Sequence, residues 1–201
     1  MIGQNTDAKL GVDMSDDELV VAVRDLFAAG REETARWERE AFDRALAATG
    51  PNVVLFGAGG VGRRSLAGLH GFGIEPLAFA DNNPELWGQK VNGVTVMSVP
   101  DAAAKYGQSA LFVISIWRGE DCRMADQRRQ LADLKVANVI TFGPLFWKAA
   151  DRLLPHYALD LPHKMFDRQE EIIAGCHLWA DDRSRAEYLS QIRWRVAHDF
   201  D

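Results

Sequence analysis

Cysteine is scarce in this sequence. Only Cys122 and Cys176 occur among the 201 residues, and they lie far apart with no C-x-x-C spacing. A disulfide framework or a zinc ribbon needs several closely spaced cysteine pairs, so neither is indicated. The two cysteines are typical of buried small side chains in a reduced protein.

Long apolar runs are also missing. No stretch approaches the ~20 consecutive apolar residues that span a bilayer. The N-terminal sequence MIGQNTDAKLGVDMSDDE is polar and acidic, unlike a secretory signal, which has an apolar centre. We therefore expect a cytoplasmic protein with no membrane partner.

Clusters of basic residues are absent as well. Residues 1–50 carry 6 basic and 11 acidic side chains, residues 51–150 carry 10 and 8, and residues 151–201 carry 7 and 10. A nucleic-acid arm needs clustered Lys and Arg, so no nucleic-acid partner is expected. The mildly basic middle favours a small anionic ligand. The five histidines form no metal-ligand pattern, and no metal is expected.

The first fifty residues predict two helices. Residues 1–13 are expected to be a disordered tail. Ser15 and Glu18 have the spacing of a capping box, which predicts the start of the first helix. A second helix is predicted at about Glu32–Ala48. We expect residues 1–50 to form this tail and a helical hairpin in front of the main fold.

Residues 51–150 alternate short apolar runs with helical patterns. The predicted strands are Asn52–Phe56, Pro76–Ala80, Val94–Met97, Ala110–Ile116 and Asn138–Phe142. Short links between alternating strands and helices are typical of a parallel sheet covered on both faces. We expect an α/β, Rossmann-like, doubly wound sheet with strand order 3-2-1-4-5. Glu85–Gly93 is expected to be a loop, and residues 151–201 to be a helical linker segment.

A glycine-rich motif directly follows the first predicted strand. Gly57 to Gly62 match G-x-G-x-x-G and open a helix, a context that predicts binding of a dinucleotide. Gly57 permits a tight turn, Gly59 lets a pyrophosphate approach the backbone, and Gly62 lets the helix pack closely on the strand. The alternative is that these glycines serve packing alone. The predicted binding residues are Gly57, Ala58, Gly59, Gly60, Val61, Gly62, Arg63, Asp81, Asn82 and Ser115.

Asp81 indicates which nucleotide the motif would hold. It ends the second predicted strand, 19 residues after Gly62, where an acid accepts hydrogen bonds from ribose hydroxyls and disfavours a 2′-phosphate. An NAD-like dinucleotide or a nucleotide-sugar is therefore favoured over NADP. Ser115 either lines the pocket or bonds to local backbone, and Trp117 either covers a ring system or packs in the core.

Catalytic patterns are missing. No Ser…Tyr-x-x-x-Lys arrangement follows the motif, and no histidine lies between His70 and His156. The glycine loop also lacks the acidic residue that precedes S-adenosylmethionine loops of the D/E-x-G-x-G type. No catalytic residue is therefore expected. A small NAD-linked oxidoreductase and a non-catalytic interaction module remain alternatives.

Three motifs resemble known nucleotide-binding domains. The loop from Gly57 to Arg63, the D-N-N-P segment from Asp81 to Pro84 and the G-x-x-V-x-G-x-x-V pattern from Gly88 to Val96 are similar to two N-terminal domains. One precedes the catalytic domain in a subset of FkbM-type methyltransferases, and the other precedes the hexapeptide-repeat β-helix in PglD-type sugar acetyltransferases. No hexapeptide repeats are present in this sequence.

The C-terminal segment favours the first resemblance. Asp182, Ser184, Tyr188 and the run Arg193-Trp194-Arg195 approximate the helix that links such a domain to an FkbM-type catalytic domain. The resemblance implies the accessory half of an O-methyltransferase. S-adenosylmethionine would then bind only in a catalytic domain beyond Asp201. The implied partners are a small nucleotide and that C-terminal domain or a partner chain.

Overall fold

A computed structural model describes residues 14–117, 124–157 and 159–197. The predicted tail of residues 1–13 lies outside this range. In the described residues, the strands are β1 Val53–Phe56, β2 Ala78–Asp81, β3 Lys90–Val91, β4 Val94–Ser98, β5 Leu111–Ile114 and β6 Asn138–Thr141. The α-helices are α1 Asp16–Leu26, α2 Arg31–Leu46, α3 Gly60–His70, α4 Val99–Tyr106, α5 Met124–Asp133, α6 Gly143–Lys148, α7 Ala150–Leu153, α8 Gln169–Gly175 and α9 Asp182–Ala197. Short 3-10 helices cover Pro84–Leu86, Pro162–Arg168 and Cys176–Leu178.

The described residues form an α/β fold, with one mostly parallel sheet of six strands in the order β3-β4-β2-β1-β5-β6. Each neighbouring pair is parallel except β3 and β4. β1 lies in the middle, with Val54 opposite Ala78 of β2 and Phe112 of β5. Both β1 and β5 are buried along their whole length. This burial explains why the sequence of these strands is continuously apolar instead of alternating.

The edge strand β3 corrects the expectation of a loop over Glu85–Gly93. Lys90 and Val91 pair antiparallel with β4 across a tight turn at Asn92 and Gly93. Both turn residues have positive φ, 48° and 88°. An Asn-Gly pair readily adopts this left-handed conformation and is a strong hairpin signal. The strand is only two residues long and has no apolar periodicity, so the Asn92-Gly93 pair was the sequence signal that could have predicted it.

The helical hairpin predicted before the sheet is not confirmed. Both helices form, but α1 packs mainly against α9, whereas α2 packs against α6 and the 3-10 helix Pro162–Arg168. Their apolar residues also enter different cores. Phe42 of α2 joins the core around the sheet, while Leu19 and Val23 of α1 join a second core. The apolar faces of α1 and α2 are therefore covered by segments that are distant in the sequence. The local spacing of apolar residues does not specify such partners.

The second core is built by the N- and C-terminal helices together. Its buried members are Leu19, Val23, Phe27, Ile173, Cys176, Leu189, Ile192 and Val196. On α9, Leu189, Ile192 and Val196 face this cluster, whereas Trp194 belongs to the core around the sheet. Helix α9 is thus an integral part of the fold that contacts both cores. None of the helices in the described residues has the length and apolar character needed to cross a bilayer.

Candidate functional site

A cleft of about 490 Å³ lies at the carboxyl ends of β1, β2 and β5. It forms where the chain leaves β1 to enter α3, beside the segments that follow β2 and β5. The lining residues are Gly57, Gly59, Gly60, Val61, Asp81, Asn82, Asn83, Ser115, Ile116 and Trp117. The carboxyl edge of a parallel sheet is the usual place for ligands in α/β proteins. The volume lies within the range of small-molecule sites.

Two glycines of the motif are required by the fold. Gly57 has φ +112°, and a Cβ there would lie 2.6 Å from the side chain of Ile116 and 2.9 Å from the carbonyl oxygen of Ser115. A Cβ on Gly62 would lie 1.8 Å from the carbonyl oxygen of Gly57. Glycine at these positions lets α3 approach β1 and β5. Packing alone therefore explains both residues.

The other two glycines, Gly59 and Gly60, are not explained by packing. Gly59 has φ −77°, which any residue adopts, and a Cβ on either glycine would meet nothing within 4 Å in the described structure. Both line the cleft. Side chains here would occupy cleft space without disturbing the loop. Their absence leaves room next to the backbone.

The open space lies against the N-terminus of α3. Helix α3 begins at Gly60, and no side chain caps it in the described residues. Its first intrahelical backbone bond runs from the Arg63 N–H to the Gly59 carbonyl, at 3.0 Å. The N–H groups of the first turn precede that bond and carry the positive end of the helix dipole. This end of the cleft is therefore suited to an anion.

Asp81 joins the end of β2 to the glycine loop. Its Oδ2 accepts a hydrogen bond from the Ala58 N–H at 2.7 Å, and its Oδ1 accepts one from the Asn83 N–H at 2.8 Å. The Trp87 indole N–H donates to the Asp81 backbone carbonyl at 2.8 Å. Each carboxylate oxygen has about two acceptor positions. Asp81 is thus fixed by backbone donors and can still accept from a ligand hydroxyl.

Asn82 and Asn83 continue the same wall. The amides of Asn82 and Gln130 of α5 exchange two hydrogen bonds, at 3.0 and 2.8 Å. The Asn83 side chain accepts from the Glu85 N–H at 3.0 Å and begins the 3-10 helix that follows. Asn83 was missed as a site residue, although it belongs to the same D-N-N-P segment. Its place at the carboxyl end of β2 was the available signal.

Three of the predicted binding residues are not among those lining the cleft in the described part of the chain. Ala58 is 1% exposed, and its N–H is used by Asp81. Gly62 is buried beneath the loop. Arg63 is exposed, and its Nε donates to the Ala58 carbonyl at 3.4 Å. These residues shape the loop or border it.

Ser115 contacts the cleft but directs its hydroxyl inward. The Oγ lies 3.1 Å from Ser65 Oγ and donates to the Val113 carbonyl at 3.3 Å. Ser115 is 2% exposed and Ser65 is fully buried. The bond to local backbone, one of the two roles considered for Ser115, is therefore present. The serine pair also connects α3 to β5 beneath the loop.

Trp117 and Ile116 complete the wall beyond β5, and neither was among the predicted binding residues. Trp117 is 43% exposed and lines the cleft. Its ring centroid lies 5.1 Å from that of Trp194 on α9 and 6.1 Å from that of Phe142. Aromatic character after the fourth parallel strand was the signal available in the sequence.

His156 lies on the far side of Trp117, where both border a small apolar cavity with Phe142 and Trp194. Burial lowers the pKa of His156, and the positive charge of Arg64 lowers it further. The His156 Nε2 is buried and has no hydrogen-bond partner among the described residues. The structure thus brings a histidine near the strand ends from a distant segment. A neutral imidazole is the favoured form there at neutral pH.

No protein-family model matches this sequence, and comparisons with curated proteins and with solved structures found no match either. The resemblances to methyltransferase and acetyltransferase accessory domains therefore stay predictions. Within the described residues, no group of three or more His, Cys, Asp or Glu side chains is placed to hold a metal ion.

Proposed function

We propose that this chain is a nucleotide-binding domain whose ligand lies in the cleft between the ends of β1, β2 and β5. The observation that carries the proposal is the pair Gly59 and Gly60. Neither backbone conformation nor packing requires glycine there, yet both residues border the cleft. A ligand that lies close to the backbone at Gly59 and Gly60 would explain why these two positions lack side chains.

The strand order supports the interpretation of the fold as Rossmann-like. β1 is central, β2 and β4 follow on one side, and β5 and β6 follow on the other. In a doubly wound sheet the strand order reverses beside the central strand. Ligands of such sheets lie in the crevice at the carboxyl ends of the strands at this position. The glycine loop at the end of β1 then offers the first turn of α3 to phosphate oxygens.

Asp81 favours a particular class of nucleotide. Its carboxylate borders the cleft and is held by two backbone N–H groups. An ionised carboxylate accepts hydrogen bonds from ribose hydroxyls and repels a phosphate on the 2′ position. An NAD-like dinucleotide or a nucleotide-sugar is therefore favoured over NADP. Arg63 would be available to an outer phosphate oxygen.

We further propose that the domain binds its nucleotide without catalysing a reaction, as the accessory part of an FkbM-type methyltransferase. The motif resemblance supports this proposal. In it, S-adenosylmethionine is used only by a separate catalytic domain, and the nucleotide domain serves recognition or regulation. A related role beside a sugar acetyltransferase domain is the other form of the same proposal.

Equilibrium titration of the whole chain tests the proposed ligand class. Isothermal calorimetry with NAD⁺, UDP-N-acetylglucosamine and S-adenosylmethionine compares the three relevant chemistries. We expect saturable binding of NAD⁺ or the UDP-sugar and no binding of S-adenosylmethionine. A folded protein that binds none of the three would contradict nucleotide binding. Turnover of NAD⁺ with a reducible or oxidisable substrate would instead favour an oxidoreductase.

A further inference from the structure

Trp117 is a partly exposed aromatic side chain at the edge of the cleft. It follows β5 directly after Ser115 and Ile116, borders the cleft and has 43% of its surface exposed. Exposing a large apolar ring to water is unfavourable. Ligand pockets are lined by aromatic side chains together with a few polar groups, so an aromatic ring that lines this cleft is a candidate ligand contact.

Two buried aromatic side chains contact the indole of Trp117. Trp194 of α9, 6% exposed, lies 5.1 Å from Trp117 at an interplanar angle of 47°. Phe142, 1% exposed, meets it edge-on at 6.1 Å and 82°. A supported ring loses little conformational freedom when a ligand stacks on it. Trp117 therefore borders the cleft as a ring that its aromatic neighbours already hold in place.

The cleft arranges three kinds of contact around one opening. The first turn of α3 is suited to phosphate, Asp81 to sugar hydroxyls and Trp117 to a planar ring. β2 and β5 both neighbour β1, so their ends are separated by two strand spacings, about 10 Å. The Asp81 and Trp117 walls thus face each other across the glycine loop. A nucleotide carries all three matching groups in one compact molecule.

We infer that Trp117 is a binding residue of the cleft and that the base of the nucleotide stacks on its indole. The inference rests on the proposed nucleotide site and adds to it the location of the base. Stacking of a base on an aromatic side chain tolerates many ring systems. Affinity from Trp117 should therefore extend to both adenine and uracil nucleotides.

Substitution of Trp117 tests the inference by separating ring recognition from phosphate recognition. We expect Trp117→Leu to weaken binding of ADP-ribose and UDP about tenfold or more, the range measured for lost base stacking. Trp117→Phe should retain affinity within about threefold because it keeps an aromatic face. Binding of inorganic pyrophosphate, which has no ring, should be unchanged in both variants. The control Phe72→Leu alters an exposed aromatic residue just beyond the C-terminal end of α3 and should leave all affinities unchanged.

Tryptophan fluorescence provides a second readout that does not depend on the leucine variant folding. We expect UDP to quench the tryptophan fluorescence of the wild type when it binds. We expect Trp117→Phe to bind UDP as well but to lose most of this quenching. Equal nucleotide affinity of the wild type and Trp117→Leu would overturn the inference while leaving the proposed function intact. So would an equal loss of pyrophosphate and nucleotide binding, or full quenching in Trp117→Phe. A wild-type protein that binds no nucleotide would overturn both proposals.

Discussion

At the scale of single residues, the glycines of one short motif have different physical causes. Gly57 and Gly62 are enforced by close approach to neighbouring backbone or side chain, whereas Gly59 and Gly60 border open space. The spacing in the sequence predicted the loop and its place after a strand. It assigned different roles to Gly57, Gly59 and Gly62 but left packing as the alternative for all of them, because the open space beside Gly59 and Gly60 depends on how distant segments fold around the loop.

Alanine substitutions two positions apart on α3 measure this difference. Gly62→Ala places a Cβ 1.8 Å from the Gly57 carbonyl oxygen, so we expect destabilisation of about 3 kcal/mol or more. Gly60→Ala has free space at the first helical position and should stabilise the protein by about 0.4–1 kcal/mol. Urea unfolding of both variants gives the comparison. Similar free energies of unfolding for the two would contradict the assigned packing.

His156 predicts a defined effect of pH on stability. Burial, followed by the charge of Arg64, lowers its pKa in the folded protein, while the unfolded chain binds a proton below about pH 6.5. The unfolded state then holds more protons, so stability falls as pH decreases from about 6.5 towards the lowered pKa. His156→Phe should reduce this decline, which is at most about 1.4 kcal/mol per pH unit for one proton. Urea unfolding at several pH values between 5 and 7.5 would contradict the assignment if the variant and wild type declined equally.

At the scale of elements, local signals predicted where helices begin more successfully than where they pack. The capping box of α1 forms as expected, since the Ser15 N–H donates to Glu18 at 2.8 Å and the Glu18 N–H donates to Ser15 Oγ at 3.3 Å. The bonds from Ser15 lower the pKa of Glu18. These contacts span three residues and are visible in the sequence. The docking of α1 on α9 joins opposite ends of the chain and is not.

Glu38 of α2 is a buried acidic residue with a partner from a distant segment. It is 2% exposed and accepts from the His163 N–H at 3.2 Å, with its Oε1 2.5 Å from His163 Nδ1. This pairing connects α2 to the 3-10 helix Pro162–Arg168. A partner so distant in sequence cannot be read from the pattern of α2 alone.

Two residues of α1 test its docking on α9. Leu19 is fully buried in the second core, and Val21 is 58% exposed on the same helix. We expect Leu19→Ala to lower the free energy of unfolding by about 2–5 kcal/mol, and Val21→Ala to change it by no more than about 0.5 kcal/mol. Chemical denaturation followed by circular dichroism measures both. An equally small effect at Leu19 would mean that α1 is not held by this core.

At the level of the whole molecule, the sequence predicted an α/β fold because the apolar strands and the glycines that separate them from the helices are recognisable within a few residues. The antiparallel strand β3 was missed because two residues carry little periodicity. The predicted binding residues Gly57–Gly62 and Asp81 lie at or next to the cleft, whereas Trp117 and Asn83, which also line it, were not among the predicted binding residues. Helix α9 joins both cores, so the cleft wall at Trp117 is connected to the terminal helices through Trp194.

The proposed site requires that the open space beside Gly59 admits a nucleotide, and a paired titration tests this requirement. The affinities of the wild type and of Gly59→Val for NAD⁺ and UDP-N-acetylglucosamine are measured by calorimetric titration under conditions in which both proteins are folded. Phe72→Leu serves as the control. We predict that Gly59→Val stays folded and loses at least about tenfold in affinity, the equivalent of ~1.4 kcal/mol of steric conflict. Undiminished nucleotide affinity in folded Gly59→Val would contradict the account.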